Sequence, residues 1–271
     1  RATLADVNET ALRLGDGVSI GQLAQIWTRA PIPVSADVRS FGRLPIGAGH
    51  DWGLSHQGIQ LRGNTGTMRL ANQPAGVYYT IDELDVGAVD TFTVPPTVPL
   101  KFTGSMTVAG TLAITGGGRF DARDGGLLSI APSGILSLTA SEENRLVFGP
   151  AAGQMDAAWS GLVVDGQIDG GFLTVRNGGI VLNSDFGQLS GLHLENAQTP
   201  LTIAASGSLL DLVYQSDVQP ILITAGEGQI SGTVSGELDL DVQFNPAELC
   251  ELWSLDQLVR DDGSEVRRNC D

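Results

Sequence analysis

From Trp159 to Phe244 the chain runs as short apolar segments separated by Gly, Ser and Asn breaks, and within each segment apolar positions fall on alternate residues. A period of two is that of a strand, whose successive side chains point to opposite faces. Ser160-Gly161-Leu162-Val163-Val164 is echoed by Ser190-Gly191-Leu192-His193-Leu194 and by Gln219-Pro220-Ile221-Leu222-Ile223. A second series runs Leu173-Thr174-Val175, Leu201-Thr202-Ile203 and Ile230-Ser231-Gly232. A third runs Ile180-Val181-Leu182, Leu210-Asp211-Leu212 and Leu238-Asp239-Leu240. Each recurs every 28 to 30 residues. Fixed recurrence of this kind marks a solenoid, in which one repeat buries its apolar face only by stacking on the next. Leu162, Val164, Leu192, Leu194, Leu210, Leu212, Ile221 and Ile223 are then expected to point inward, and Val163, His193 and Leu222 outward. Parallel crossovers are right-handed by strong preference. The predicted fold is all-β: a right-handed three-sheet parallel β-helix over residues 78–244, with an irregular N-terminal cap and a short C-terminal capping helix.

The flanks set the expected boundaries. Residues 1–77 read as an N-terminal arm and capping layer: Ala5, Val7, Leu12 and Leu14 fit either a short helix or an irregular arm, and Trp27 to Pro74 is rich in Pro, Gly and isolated apolar pairs. Strand signals become dense from Tyr78, with Tyr79-Thr80-Ile81, Leu84-Asp85-Val86, Leu127-Leu128-Ser129-Ile130 and Ile135-Leu136-Ser137-Leu138 between turn residues. After Phe244, Asn245-Pro246-Ala247-Glu248 has the order of a helix start, and Leu249, Leu252, Trp253 and Leu255 follow it. Residues 245–271 are thus expected to form an amphipathic helix across the last coil, with a cysteine-closed tail.

The order Thr93-Val94-Pro95-Pro96, Leu100-Lys101-Phe102, Val108-Ala109-Gly110-Thr111-Leu112, Leu146-Val147-Phe148 and Trp159-Ser160-Gly161-Leu162 resembles a loose pattern in bacterial secreted right-handed parallel β-helix repeat proteins. The resemblance spans about residues 78–245. It implies architecture, and its motifs specify no chemistry.

Composition narrows the range of functions. The 271 residues are 42% hydrophobic and 17% charged, with 36 glycines, which suits a globular chain with many tight turns. Net charge is −16 and the 15 basic residues include one lysine, Lys101, so nucleic acid is excluded as a partner. No apolar run is long enough for a transmembrane helix. Cys250 and Cys270 lie together in the tail, and closing their loop is worth about 3 kcal/mol. A disulfide there suits an extracytoplasmic location, secreted or in the cell envelope.

Candidate chemistry is sparse. For hydrolysis the chain offers Asp121 with Asp124 and Asp165 with Asp169, and neither pair matches the Asn-Thr-Asp, Asp-Asp and Gly-His-Gly set of polygalacturonase-like β-helices. Asp211, Asp239 and Asp241 are the candidate calcium ligands, because acids stacked on neighbouring coils repel unless a cation or solvent relieves them. His50, His56 and His193 lack a zinc-ligand spacing, and no Gly-x-Ser-x-Gly elbow occurs. Trp27 and Trp52 can stack on a sugar or plug the solenoid end. In the alignment above, neither the column Val181, Asp211, Asp239 nor the column Val163, His193, Leu222 sets a cation beside an acid. The expectation is a non-catalytic structural or adhesive module with no cofactor other than the candidate calcium, meeting a surface polysaccharide or another envelope protein through a flat outer face. Two other classes are a polysaccharide lyase or glycoside hydrolase, suggested by fold analogy alone, and an ice- or crystal-binding surface, which would need a regular ladder of outward threonines.

Overall fold

The computed structural model describes residues 35–36, 59–61, 67–69, 79–88, 91–94, 99–116, 119–122, 126–150, 159–236 and 241–270. The expectations for Trp27, Trp52, His50, His56, Asp124 and Asp239 lie outside the described residues. Among the described residues the chain is an all-β solenoid of stacked parallel strands.

Successive strands visit three stacks in a fixed order. Residues 105–108 begin one coil in sheet 1, Thr111–Thr115 continues it in sheet 2 and Arg119–Ala122 completes it in sheet 3. Leu127–Ile130, Ile135–Thr139 and Leu146–Phe148 repeat the circuit directly above. Three short strands before residue 78 pair in parallel with the same stacks: Ser35–Ala36 with Ile59–Leu61, Ile59–Leu61 with residues 84–86, and Thr67–Arg69 with Thr91–Val94. Sheet 2 comes in two blocks. Its ladder stops at Gln167–Gly170 and resumes at Gly187–Ser190, with one bridge from Gly171 to Ser190 between them.

The repeat is shorter than the sequence pattern suggests. In sheet 1, Leu162 pairs with Ile180, Ile180 with Leu201, Leu201 with Ile221 and Ile221 with Val242, steps of 18, 21, 20 and 21 residues. The apparent period of 28 to 30 spans one coil plus one or two further strands, so the three series mix sheets. Leu162 and Ile221 lie in sheet 1, whereas His193 and Leu194 lie in sheet 3. The cause is physical. All three inner faces carry Leu, Ile and Val, so matching residue types does not identify the stack.

Alternation itself holds. Val86, Val108, Ile130, Val164, Leu182, Ile203, Ile223 and Phe244 pair one above another along sheet 1, and none is more than 2% exposed. Leu162, Leu192, Leu194, Leu212, Ile221 and Ile223 are buried as expected, and Val163, His193 and Leu222 are half-buried on the outside. Leu210 departs from the expectation and is half-exposed. The register slips between Leu209 and Leu212, and the extra residues Leu210 and Asp211 turn the corner from sheet 2 to sheet 3. At the sheet 3 to sheet 1 corner Asn177 and Asn196 both adopt positive φ, 54° and 53°, which Asn tolerates better than most residues. Their amides stack, Asn196 Nδ2 donating to Asn177 Oδ1 at 2.9 Å.

The C-terminal end differs from the expected amphipathic helix. The helical part is one 3-10 turn, Ala247–Glu251, without a side-chain cap. Trp253–Arg260 then returns as a strand on Gly228–Ser235, because the exposed ladder of that rung needs backbone partners that a strand supplies and a helix does not. Trp253 stays buried, its indole N–H donating to Gly226 O at 3.0 Å. Cys250 and Cys270 form a disulfide with Cα atoms 6.0 Å apart, fixing the turn to the final strand Arg268–Asn269. Thiol labelling of denatured, unreduced protein should find no free cysteine, and reduction should lower stability by about 3 kcal/mol; two labelled thiols would contradict the pairing.

Candidate functional site

A groove of about 540 Å3 lies over the corner between sheets 2 and 3, lined by Glu142, Arg145, Phe172, Gly191, His193, Asp211, Leu212, Val213, Gly232 and Thr233. Loop length creates it. The corner is two residues long between Gly170 and Leu173 and between Ser190 and His193, but six residues, 140–145, between Thr139 and Leu146. The longer segment overhangs the coils above and brings Glu142 and Arg145 with it.

Four successive coils place a left-handed residue at this corner: Phe172, Gly191, Asp211 and Gly232, with φ of 57°, 63°, 56° and 136°. A bulky side chain there is unusual and costs on the order of 1–3 kcal/mol. The Phe172 ring lies against Gly191, where a Cβ would come within 2.7 Å of Phe172 Cδ1, so glycine at 191 is what lets the ring face the groove.

Arg145 locks the corner. Its Nε donates to Thr174 Oγ1 at 3.0 Å, its Nη2 donates to the carbonyls of Leu173 (3.1 Å) and Gly191, and its guanidinium stands 5.9 Å from the Phe172 ring centre. These bonds account for the burial of Thr174, which is 2% exposed although it is polar and on the outer face. Burial lowers the Arg145 value, with Glu142 and Glu195 acting in the opposite sense. His193 pairs with Thr174 on one side and Val213 on the other. Burial first, and then the Arg145 charge, hold its imidazole below the ordinary value, opposed by Glu195 and Glu142.

The sign of the resulting pH effect follows. Because the folded value lies below the unfolded one of about 6.5, the unfolded chain takes up this proton first, so His193 destabilises the fold as pH falls through and below about 6.5. Proton NMR of the His193 ring should give a midpoint below that of a free imidazole, and Arg145→Gln should raise it. A midpoint at or above the ordinary value would refute the description of this pocket.

Of the candidate calcium ligands, Asp211 and Asp241 lie at different places in the coil, one at the corner between sheets 2 and 3 and the other at the start of a sheet 1 strand. Asp211 is exposed at the groove corner, with its backbone N–H on Ser231 Oγ at 3.4 Å. Asp239 is outside the described residues. Asp241 sits at the start of a sheet 1 strand, 1% exposed, and both its oxygens accept from Arg260 Nη1 at 2.6 Å, with Arg267 N on Oδ2 at 3.1 Å. A buried carboxylate requires an opposite charge and hydrogen bonds, and here a guanidinium supplies both. No three His, Cys, Asp or Glu side chains are placed to hold a metal among the described residues. Asp165 and Asp169 line a second recess of about 440 Å3 beside the break in sheet 2, each accepting from a neighbouring amide, Asn183 Nδ2 at 2.7 Å and Gln167 Nε2 at 2.6 Å. Asp121 lies on a sheet 3 strand, its backbone paired with Lys101.

Sequence reasoning found His193 and Asp211 but assigned them to separate columns without a cation, and it missed Glu142, Arg145 and Phe172. The correct register reveals the signal: a six-residue corner carrying an arginine, in a chain poor in basic residues, where the next two coils have corners of two. The fold and this groove define a parallel β-solenoid with a recessed polar corner. No family model, no curated protein and no solved structure matches the chain.

Proposed function

We propose that this chain is a non-catalytic β-solenoid of an extracytoplasmic compartment, secreted or in the cell envelope, that acts as a structural or adhesive module and takes a polysaccharide or an envelope protein as partner. One observation carries the non-catalytic reading: Arg145, the cation of the groove, commits three of its five N–H donors to Thr174, Leu173 and Gly191, so its position is set by bracing the corner. The disulfide supports the compartment. Among the described residues no helix is long and apolar enough to cross a membrane, a finding that leaves strand-built spans open. The resemblance to bacterial secreted β-helix proteins points the same way.

A second reading, a carbohydrate-active enzyme, draws on Glu142, His193 and Asp211 lining one groove, since an acid and a base beside a sugar linkage are what lyases and hydrolases require. One experiment separates the two. Incubation with purified uronic-acid and neutral polysaccharides, with and without calcium, is read for retention and for cleavage. The proposal expects retention without cleavage. New reducing ends or unsaturated-product absorbance that vanish in Glu142→Gln or Asp211→Ala protein would establish the enzyme instead.

A further inference from the structure

The groove beneath the 140–145 overhang holds polar groups that the fold leaves uncommitted. Arg145 fixes its Nε and Nη2 hydrogens on Thr174, Leu173 and Gly191, but among the described residues nothing accepts from its Nη1. That nitrogen lies beside the Phe172 ring: a Cβ on Gly191 would come within 3.4 Å of Nη1 and 2.7 Å of Phe172 Cδ1. The Glu142 and Asp211 carboxylates, the His193 ring and the Thr233 hydroxyl line the same groove. Among the described residues none of these side chains has a hydrogen-bond partner within the protein.

The senses of these groups limit what can fill the groove. A carboxylate only accepts, a guanidinium only donates, and a hydroxyl does both. A ligand carboxylate would meet Arg145 but face Glu142 and Asp211 as like charges, and a ligand ammonium would meet the acids but face Arg145. Hydroxyl groups answer both, donating to a carboxylate and accepting from Nη1. The half-buried Phe172 ring adds a flat apolar surface for the C–H face of a ring that carries those hydroxyls. Its backbone is held at a φ of 57°, and strain of this kind clusters at ligand sites. Phe172, Gly191, Asp211 and Gly232 stand on successive coils, so the groove runs three steps of about 4.8 Å, roughly 14 Å along the solenoid. A peptide fits less well. The floor strands are already paired, His193 with Thr174 on one side and Val213 on the other, so no ladder edge is open to an added strand.

We infer that this groove is a subsite for a neutral hexopyranose chain, with one sugar ring on Phe172 and its hydroxyls shared between Arg145 Nη1 and the carboxylates of Glu142 and Asp211. The inference rests on the polysaccharide-binding reading above and names the class of polymer. The net charge of −16 acts in the same sense, repelling uronic-acid chains at long range.

Isothermal titration of the full chain at neutral pH and about 0.15 M salt tests it, with maltohexaose, cellohexaose and mannohexaose as neutral probes and hexamers of galacturonate and glucosamine as charged ones. At least one neutral hexamer should bind about tenfold or more tighter than either charged one. Phe172→Gly, which suits the positive φ and removes the ring, and Glu142→Ala should each weaken that binding by about tenfold or more. Glu142→Lys combined with Asp211→Asn should turn the preference toward galacturonate, while Asp169→Asn in the second recess leaves every affinity unchanged. A circular dichroism melt shows which variants are folded, and Glu142 is exposed on the overhang, so its variant decides the matter should Phe172→Gly not fold. Tighter binding of a charged hexamer overturns the inference and leaves the polysaccharide reading in place. So does neutral binding that Glu142→Ala and Phe172→Gly leave intact, or that Asp169→Asn abolishes. Failure of every hexamer to bind overturns it as well, and retention of the corresponding polymers then tells whether the polysaccharide reading fails with it and an envelope protein is the partner. Neutral binding accompanied by cleavage supports the subsite and overturns the non-catalytic reading instead.

Discussion

Replacing Asp241 by alanine should lower the stability of the fold by about 3–5 kcal/mol, because it leaves the Arg260 guanidinium in a mostly buried site with its counter-charge gone. Asp241 is 1% exposed and the Arg260 side chain 19% exposed, so solvent screens this pair far less than it screens Arg268 with Asp256, 3.7 Å apart at the surface. The carboxylate also joins three segments: Arg260 closes the last long strand, Arg267 N belongs to the tail, and Arg260 Nη2 reaches back to Gly236 O at 2.7 Å. Removing it frees the terminal coil as a unit, and a solenoid frays from its ends. Denaturant unfolding of Asp241→Ala, Arg260→Ala and the double variant measures the effect. The double variant should lose much less than the sum of the singles, since most of each single loss is an orphaned charge. Additive losses, or a single loss under about 1 kcal/mol, would mean that the pair is not the latch described.

How much of this could be read from the sequence follows from which interactions are local. Alternation in Leu162-Val163-Val164 or Leu192-His193-Leu194 is a property of one strand, so the inward and outward assignments held without knowledge of any partner. Stacking is not local. The pairings Leu162 with Ile180 and Thr174 with His193 link residues 18 and 19 apart, and the sequence offers several equally apolar alternatives at other spacings. A wrong period therefore cost little in predicting burial and much in predicting the site: it set His193 beside Val163, when its neighbours are Thr174 and Val213 beneath the Arg145 corner. The same limit explains Asp241. Its partner Arg260 lies 19 residues on, in a segment read as following a helix. Only the rung Gly228–Ser235 beneath it, with its unpaired edge, makes that segment a strand.

Phe148→Ala should cost about 3–5 kcal/mol, while Val147→Ala, one residue earlier, should cost well under 1 kcal/mol. The two side chains share a strand and point to opposite faces. Phe148 is 1% exposed and meets Phe120 from the coil below edge to face, ring centres 4.6 Å apart, whereas Val147 is half-buried on the outside. Truncating Phe148 removes a ring from the inner column that also holds Val175 above it. Stacked coils have no freedom to close such a cavity without breaking ladder hydrogen bonds on both sides, which puts the loss toward the upper part of the range for aromatic truncations. The aromatic pairing adds about 0.5–1.5 kcal/mol beyond area burial, so Phe148→Leu should recover part of the loss and not all of it. Equilibrium unfolding of the three variants decides the matter. Equal losses for Val147→Ala and Phe148→Ala would mean that this strand does not present Phe148 to the solenoid interior, and the register assigned to sheet 3 would fail with it.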